Sequence, residues 1–310
     1  MIEARHLRVL CAVAQADSFT AAARELGCTQ PAVSQQMKTL ERSVGTPLLI
    51  RAGRGIRLTE AGEVLVRHAG GILAGLRAAQ EEVASLAGLD AERVRLVSFR
   101  SAASTLVPSA LASMRAGWPE IKVSMAESTS PDSIDILRNG DCDIALAFRY
   151  PEVPGARSEA AATLAWDDLI VRPLLADPLV ALVPENHRLA GARQVKLTDL
   201  ADEPWAAGCP RCRRHLVDLC RSEGFSPRID FATDDYPTVI GLVKAGLGVA
   251  VLPEMTRRSL PSGTVRALRL EPAAHREVVA LTLPASKSVP SVKAMLRELT
   301  KAAQDIAVSA

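Results

Sequence analysis

The sequence predicts a mixed α/β chain in three parts: an N-terminal all-α winged helix-turn-helix over residues 1–59, a long linker helix over 60–89, and a two-lobed α/β remainder over 90–310. Three observations carry this reading. Two short helical patterns joined by Gly27 precede a pair of short strands around a glycine-rich turn. An apolar repeat spaced 4-3-4-3 follows. Apolar strands then alternate with helical patterns, which is the mark of parallel βαβ units. At 310 residues the chain is about twice a usual single domain, so each part can bury a core of its own.

Composition narrows the class. With 37 basic and 35 acidic residues, 48% apolar and 23% charged, the chain is ordinary globular protein rather than disordered or fibrous. The balance hides an asymmetry, because residues 1–67 carry nine Arg or Lys against six Asp or Glu, which marks the N-terminal part for a polyanion partner. The longest apolar run, Val239–Pro253, is broken by Lys244 and falls short of the roughly 18–20 residues of a membrane helix. Arg5 and Arg8 before Val9–Ala14, with the Ala14-Gln15-Ala16 triplet, imitate a secretion signal. That apolar stretch has only six residues against the roughly 7–15 expected, so it is read as a helix of the mature protein. Six scattered cysteines do not resemble a disulfide scaffold, which implies reduced thiols and a cytoplasmic location.

Leu7, Leu10, Cys11 and Ala14 recur at helical spacing, and Ser18 can cap a second helix, Phe19–Leu26, which Gly27 ends. Thr29 can cap a third, with Pro31 in its first turn, where a missing amide costs nothing. On this third helix Val33, Met37 and Leu40 form an inward stripe. The other face shows Gln30, Pro31, Ser34, Gln35 and Lys38 and no carboxylate before Glu41. Such side chains suit base edges and phosphates in a major groove. Leu48–Arg51 and Ile56–Thr59 bracket Ala52-Gly53-Arg54-Gly55 as two strands of a wing, with Arg51 and Arg54 apt for phosphate or minor-groove contact.

The strings Ser18-Phe-Thr-Ala-Ala-Ala-Arg-Glu-Leu-Gly, Thr29-Gln-Pro-Ala-Val-Ser-Gln-Gln-Met-Lys-Thr-Leu-Glu and Leu58-Thr-Glu-Ala-Gly62 resemble the LysR-type transcriptional regulators. One departure is Ile50, where that family usually has Phe; its expected effect is on packing beneath the wing. Beyond Thr59, an expected N-cap, a helix runs to about Leu86 with Gly88 as its stop. Leu65, Ala69, Ile72, Leu76, Ala79, Val83 and Leu86 form an a/d seam that asks for a partner helix. The resemblance implies the same: linker helices pair between subunits and set two reading heads on one operator.

The remainder reads as Val94–Phe99, a helix near Thr105–Arg115, Ile121–Ala126, a helix near Ser133–Asn139 and Asp143–Phe148. A second set follows: Pro178–Pro184, helix Arg214–Glu223, Arg228–Ala232, helix Pro237–Ala245 and Val249–Pro253. Strands near Leu169–Leu174 and Val265–Leu270 are expected to cross between lobes. Lobe one then covers about 91–170 with 268–310, and lobe two about 171–267. Trp118-Pro119-Glu120, Gly140-Asp141-Cys142-Asp143-Ile144-Ala145 and Val243-Lys-Ala-Gly-Leu-Gly-Val-Ala-Val-Leu-Pro253 extend the resemblance, which implies a periplasmic-binding-protein-like effector domain. Ligands of α/β clefts sit at the carboxyl ends of strands. That places Ser101, Ser104, Ser128, Thr129 and Ser130 opposite Gly208, Cys209, Arg211, Asp235 and Tyr236 as effector-binding candidates, with Arg211 suited to a small anion such as a carboxylate.

Catalytic signatures are missing. Gly246-Leu-Gly248 lacks a third glycine because Val251 stands there, and no phosphate loop, Gly-x-Ser-x-Gly elbow or His-Glu-x-x-His pair occurs. No cofactor and no enzymatic activity are expected. Cys209-Pro-Arg-Cys212, with His215 nearby, opens a helix beside Arg211, Arg213 and Arg214, a setting that favours thiolate. A redox- or metal-sensing regulator using Cys209 and Cys212, with His215 as a further metal ligand, is therefore the alternative. A more distant one is an enzyme or binding protein with an incidental helix-turn-helix. The expected partners are double-stranded DNA, a small-molecule effector and a second copy of the chain, as homodimer or homotetramer, with RNA polymerase as a further candidate and no membrane.

Overall fold

The computed structural model describes residues 1–52, 55–86, 93–153, 166–258 and 265–308. Its head is built from α1 (Ala4–Ala16), α2 (Phe19–Glu25) and α3 (Gln30–Val44), closed by an antiparallel ribbon of β1 (Leu49–Ala52) and β2 (Gly55–Leu58). Leu10, Val13, Val33, Met37, Leu40 and Leu48 meet in one core, each removing side-chain surface worth about 1.5–3 kcal/mol from water. Ser18 caps α2 by accepting from the Ala21 amide at 3.4 Å. Thr29 stands at the N-cap of α3, yet its hydroxyl makes no capping bond. Pro31, the second helical residue, removes one of the two amides such a cap could accept from.

Ile50 departs from expectation. In the ribbon Leu49 pairs with Leu58 on the face turned to the core, while Ile50 pairs with Arg57 on the outer face and is 50% exposed. Replacing an aromatic there changes the wing's outer surface rather than the packing beneath it. Arg54 lies outside the described residues.

Helix α4 (Glu60–Leu86) starts at Thr59, whose hydroxyl accepts from the Gly62 amide at 3.1 Å and donates to the Pro47 carbonyl at 2.8 Å. Gly62 itself is required by crowding, since a Cβ there would lie 2.2 Å from the Leu48 carbonyl oxygen. The expected seam divides. Leu65 and Ala69 pack inside the chain, with Leu73, against Leu7 and Cys11 of α1. Ile72, Leu76, Ala79 and Val83 remain exposed as an apolar stripe. The side chain of Leu86, and the expected stop at Gly88, lie outside the described residues.

The lobes share one sheet. Lobe one takes β3 (Arg93–Ser98), α5 (Arg100–Ser104), α6 (Leu106–Gly117), β4 (Lys122–Glu127), α7 (Ser130–Arg138) and β5 (Ile144–Arg149), with β4 and β5 both parallel to β3. The two strands expected over Leu169–Leu174 and Pro178–Pro184 are a single strand, β6 (Ile170–Val183), long enough to serve both lobes. Lobe two adds β7 (Gln194–Lys196), β8 (Pro204–Ala207), α8 (Pro210–Ser222), β9 (Arg228–Ala232), α9 (Tyr236–Lys244), β10 (Ala250–Pro253), α10 (Glu254–Arg258) and β11 (Arg266–Glu271). Strands β10 and β11 pair with the second half of β6, and β8 pairs with β9. The crossing expected over Val265–Leu270 is therefore a strand of lobe two. The return to lobe one follows it, into β12 (His275–Thr282), which lies between β5 and the first half of β6. Helix α11 (Pro290–Val308) closes lobe one by packing Met295, Leu299 and Ala303 into a core with Leu106, Ala110 and Met114 of α6. Among the described residues no helix is long and apolar enough to cross a membrane.

Candidate nucleic-acid interface and interlobe cleft

On α3 the inward stripe fixes which side chains face out. Thr29, Gln30, Pro31, Gln35 and Lys38 are exposed and Ser34 is half-buried. The nearest carboxylate, Glu41, is engaged elsewhere: its Oε1 accepts from the Leu48 and Leu49 amides at 2.9 and 3.3 Å, tying the helix to the wing. Its charge is thus directed at backbone donors, not at whatever meets the helix. Arg42 bonds the Lys38 carbonyl at 3.2 Å and Thr39 Oγ1 at 3.3 Å, adding a cation that the sequence reading did not single out. An open groove of 710 Å³ runs beside this face past Gln35, Lys38, Arg42 and Thr46. Arg51 is exposed on the wing, which is braced by the Ile56 amide donating to the Asp17 carbonyl at 3.1 Å.

In the cleft, only some of the expected residues converge. Ser101 and Ser130 are buried in lobe one, and Arg211, on the first turn of α8, reaches across from lobe two to donate to Ser130 Oγ at 3.0 Å. Its guanidinium lies 4.9 Å from the centre of the Phe148 ring, and burial lowers its pKa from the ordinary value. Gly208 and Tyr236 are buried together, since a Cβ on Gly208 would stand 3.7 Å from the Tyr236 ring. Cys209 is half-buried beside Cys212. Ser104, Thr129 and Asp235 have other duties. Ser104 donates to the Ser101 carbonyl, Thr129 donates to Asp132, and Asp235 caps α9 by accepting from the Thr238 amide at 3.0 Å. Ser128 is half-buried at the end of β4.

The centre of the cleft belongs to a residue the sequence reading missed. Arg276, on β12, has no exposed surface. It meets Asp177 of β6 at 2.8 and 2.9 Å and donates to Ser101 Oγ at 2.7 Å. Its guanidinium sits 5.1 Å from the Phe99 ring centre and 4.8 Å from that of Phe148. Burial pushes the Asp177 carboxyl up and Arg276 pulls it back, while Asp177 lifts Arg276 above the usual guanidinium range against burial's opposite pull. Contacts this short between donor and carboxylate make the pair ionic. Asp177 also accepts from the Met255 amide at 2.9 Å, so its oxygens are satisfied. Nη1 of Arg276, by contrast, has no hydrogen-bond partner among the described residues. A signal existed: Arg276 holds the same alternation phase as Val278 and Ala280, so a charge points into an apolar face.

Arg100 forms a second tie between lobes, donating to Glu127 Oε1 at 3.1 Å on one side and to the Asp234 carbonyl at 3.1 Å on the other. Behind the cleft, Tyr150 stacks on His215 at 3.9 Å between ring centres. Burial, with the nearby Arg211 and His275 charges, pushes the His215 pKa down to about 4. Among the described residues there is no cluster of three or more His, Cys, Asp or Glu side chains able to hold a metal ion, so Cys209, Cys212 and His215 do not converge as one.

Comparison with known proteins agrees with this layout. The bacterial regulatory helix-turn-helix protein, lysR family model matches residues 4–63, and the LysR substrate binding domain model matches residues 87–304. The chain is 30% identical over 266 residues to the HTH-type transcriptional regulator AlsR of Bacillus subtilis (strain 168), covering 83% of this chain and 82% of that protein. It is 32% identical over 271 residues to the HTH-type transcriptional regulator BudR of Raoultella terrigena, covering 85% and 89%. Its fold resembles that of full-length OxyR C199D from Pseudomonas aeruginosa, with a TM-score of 0.67 at 22% identity over 98% of this chain and 95% of that one. It also resembles full-length CbnR complexed with its target DNA, with a TM-score of 0.54 at 22% identity over 97% of this chain and 100% of that one. A reading head, a linker helix and two lobes thus occur in this order and with these motifs because the chain belongs to the LysR family of DNA-binding transcriptional regulators, and carries that family's effector-binding domain.

Proposed function

We propose that this regulator reads duplex DNA with Thr29, Gln30, Pro31, Ser34, Gln35 and Lys38 in a major groove and with Arg51 and Arg54 of the wing on phosphates or in a minor groove. It has no catalytic activity of its own and works in the cytoplasm. The observation that carries the reading is the outward face of α3, whose first carboxylate, Glu41, is held by two wing amides and so does not oppose a phosphate backbone. Two heads are paired through Ile72, Leu76, Ala79 and Val83, the part of the linker stripe left exposed.

Between the lobes the effector is a small anion. Arg276 offers a buried N–H without a partner among the described residues, Arg211 stands across the same Phe148 ring, and the two guanidiniums donate to the hydroxyls of Ser101 and Ser130. An anion bridging the two guanidiniums draws the lobes together, and the preferred arrangement of lobes shifts the spacing of the heads.

Fluorescence anisotropy with operator duplexes tests the first part. Affinity is expected to fall steeply with salt, and Ser34→Glu, which sets a carboxylate against the DNA, abolishes binding while circular dichroism stays unchanged. Retained footprinting by that variant refutes the recognition face. A thermal-shift screen of mono- and dicarboxylates tests the second part: Arg211→Ala is expected to lose the shift and keep operator binding.

A further inference from the structure

Two cysteines at the seam between the lobes are placed for chemistry that operator reading and anion binding do not use. Cys209 is the N-cap residue of α8, and its sulfur accepts from the Cys212 amide at 3.3 Å. The two sulfurs stand 2.7 Å apart, well inside ordinary contact and within about 0.7 Å of a disulfide bond length. Both lie on one turn of one helix, so joining them displaces no other element.

The pair is also set apart from the remaining thiols. Burial pushes Cys11 up to about 11 and Cys220 up to about 12, and drives Cys142 further still. Cys212 goes the other way: the hydrogen bond from Cys209, then those from Tyr150 and Tyr236 and the charge of Arg276, hold it below the usual thiol range despite its burial. Cys209 rises correspondingly, because it keeps the shared proton. One thiol thus serves as nucleophile and its neighbour as resolving partner. Cys212 is buried within the core of lobe one, near Phe99, Phe148 and Met255, although its backbone belongs to lobe two. Its neighbour Arg211 makes the tie to Ser130.

We propose that Cys209 and Cys212 form a reversible dithiol–disulfide switch, oxidised by hydroperoxides, that resets the contact between the lobes. The Cys212 thiolate attacks the terminal oxygen of the hydroperoxide. The O–O bond breaks, an S–O bond forms, and the departing alkoxide takes a proton to leave as alcohol, or as water from hydrogen peroxide. The Cys209 sulfur then attacks the sulfenic sulfur, the S–O bond breaks, and hydroxide leaves as water with the Cys209 proton. Two electrons pass from the sulfurs to the peroxide, and a dithiol reductant returns them. The disulfide removes a negative sulfur from beside Arg211 and Arg276 and pulls on the first turn of α8, where Arg211 is rooted.

The test treats the full-length protein with stoichiometric hydrogen peroxide and follows intact mass, peptide mapping and operator footprint. The expected result is the loss of two hydrogens, a Cys209–Cys212 disulfide in the map, reversal by dithiothreitol and an altered footprint in the oxidised form. Cys209→Ser is expected to stop at a Cys212 sulfenic acid trapped by dimedone, while Cys28→Ser still forms the disulfide. A wild-type mass that does not change, a disulfide mapped to any other pair, oxidation at Cys212 beyond sulfenic acid without a disulfide, or identical footprints for the two forms overturns the proposal. Because the chemistry is read on the wild type by mass, these outcomes hold whether or not any carboxylate binds the cleft.

Discussion

Replacing Arg276 with Met tests the centre of the cleft by leaving the charged Asp177 carboxylate without its guanidinium, in a site where the two residues are 0% and 2% exposed. Removing one member of a buried ion pair costs about 3–5 kcal/mol, because the remaining charge keeps its desolvation penalty and loses its partner. The methionine retains the apolar stem between Phe99 and Phe148, so the loss reports charge rather than a void. With a urea slope of about 2–3 kcal/mol per molar for a domain of this size, the midpoint falls by about 1–2.5 M. Trp118, Trp166 and Trp205 all lie in the lobes, so their fluorescence follows this transition without interference from the head. Asp177→Asn in the same chain keeps an oxygen for the Met255 amide and removes the charge. The double variant is therefore expected to recover all but about 1–2 kcal/mol, a coupling that only directly interacting groups show. A single-variant loss under about 1 kcal/mol, or a double variant as unstable as the sum of its parts, refutes the ionic pair.

Three further outcomes are expected from the packing and the electrostatics. Gly70→Ala would bring a methyl to 1.1 Å from the Arg138 carbonyl oxygen, a backbone group that cannot swing away. Stability drops by about 1–3 kcal/mol, and anisotropy is expected to show operator binding retained but no longer responsive to ligand. An unchanged melting temperature refutes the α4–α7 contact. Ile72→Lys with Leu76→Lys places two charges on the exposed stripe, where the residues are 51% and 44% exposed, so the monomer fold is unaffected; light scattering is expected to show dissociation, and an intact oligomer removes the stripe from the interface. His215 is a base whose folded pKa, about 4, lies below its unfolded value of 6.5. The unfolded chain takes up a proton that the folded chain refuses, so stability is full above pH 6.5 and falls as pH drops toward 4, by at most about 3 kcal/mol. In His215→Phe, which keeps a ring against Tyr150, urea midpoints measured across that window lose this slope; an unaltered slope assigns the acid sensitivity elsewhere.

The reading head was legible because its information is local. A serine before a helix, a glycine after it and an alternating ribbon each act within a few residues of themselves, and Ser18 and the wing fold as their neighbours dictate. Thr29 stands at the expected N-cap without making a side-chain bond, and nothing in the structure explains its absence. Ile50 shows what the strand alternation alone could have settled: its pairing with Arg57 puts it outside. The lobes were harder. A 14-residue strand shared by both lobes looks like two strands when each half has its own apolar rhythm. Arg276 and Asp177 are 99 residues apart, and no spacing rule connects them. The loops at strand ends were found by topology, but topology alone cannot say that Asp235 caps its own helix while Arg211 crosses to the other lobe.

Helix α4 departs furthest from the seam its heptads predict, and this bears on how a signal crosses the molecule. A regular heptad suggests one seam with one partner, yet this helix has three occupations around its axis. Leu65, Ala69 and Leu73 lie on α1 of the reading head. Gly70 passes the Arg138 carbonyl, Ala74 enters the core of lobe one with Leu137, and Arg77 reaches Asp143 at 3.5 Å. Asp143 is itself held by Arg95 through its backbone amide at 2.8 Å and its guanidinium at 2.7 Å, so the helix is fastened to β3, the strand that leads into Ser101. The third face, Ile72 to Val83, stays exposed, where the proposed second copy would pair. A rise of about 1.5 Å per residue makes the span from Leu65 to Val83 a rod of about 27 Å. A packed rod does not bend to absorb a shift at one side, so a movement of α7 or β3 caused by ligand must either break its contacts or turn the rod. Turning the rod moves the head at one end and the exposed stripe at the other. On the proposed pairing, the division of the heptad between its own chain and a partner would make the linker a transmitter rather than a tether.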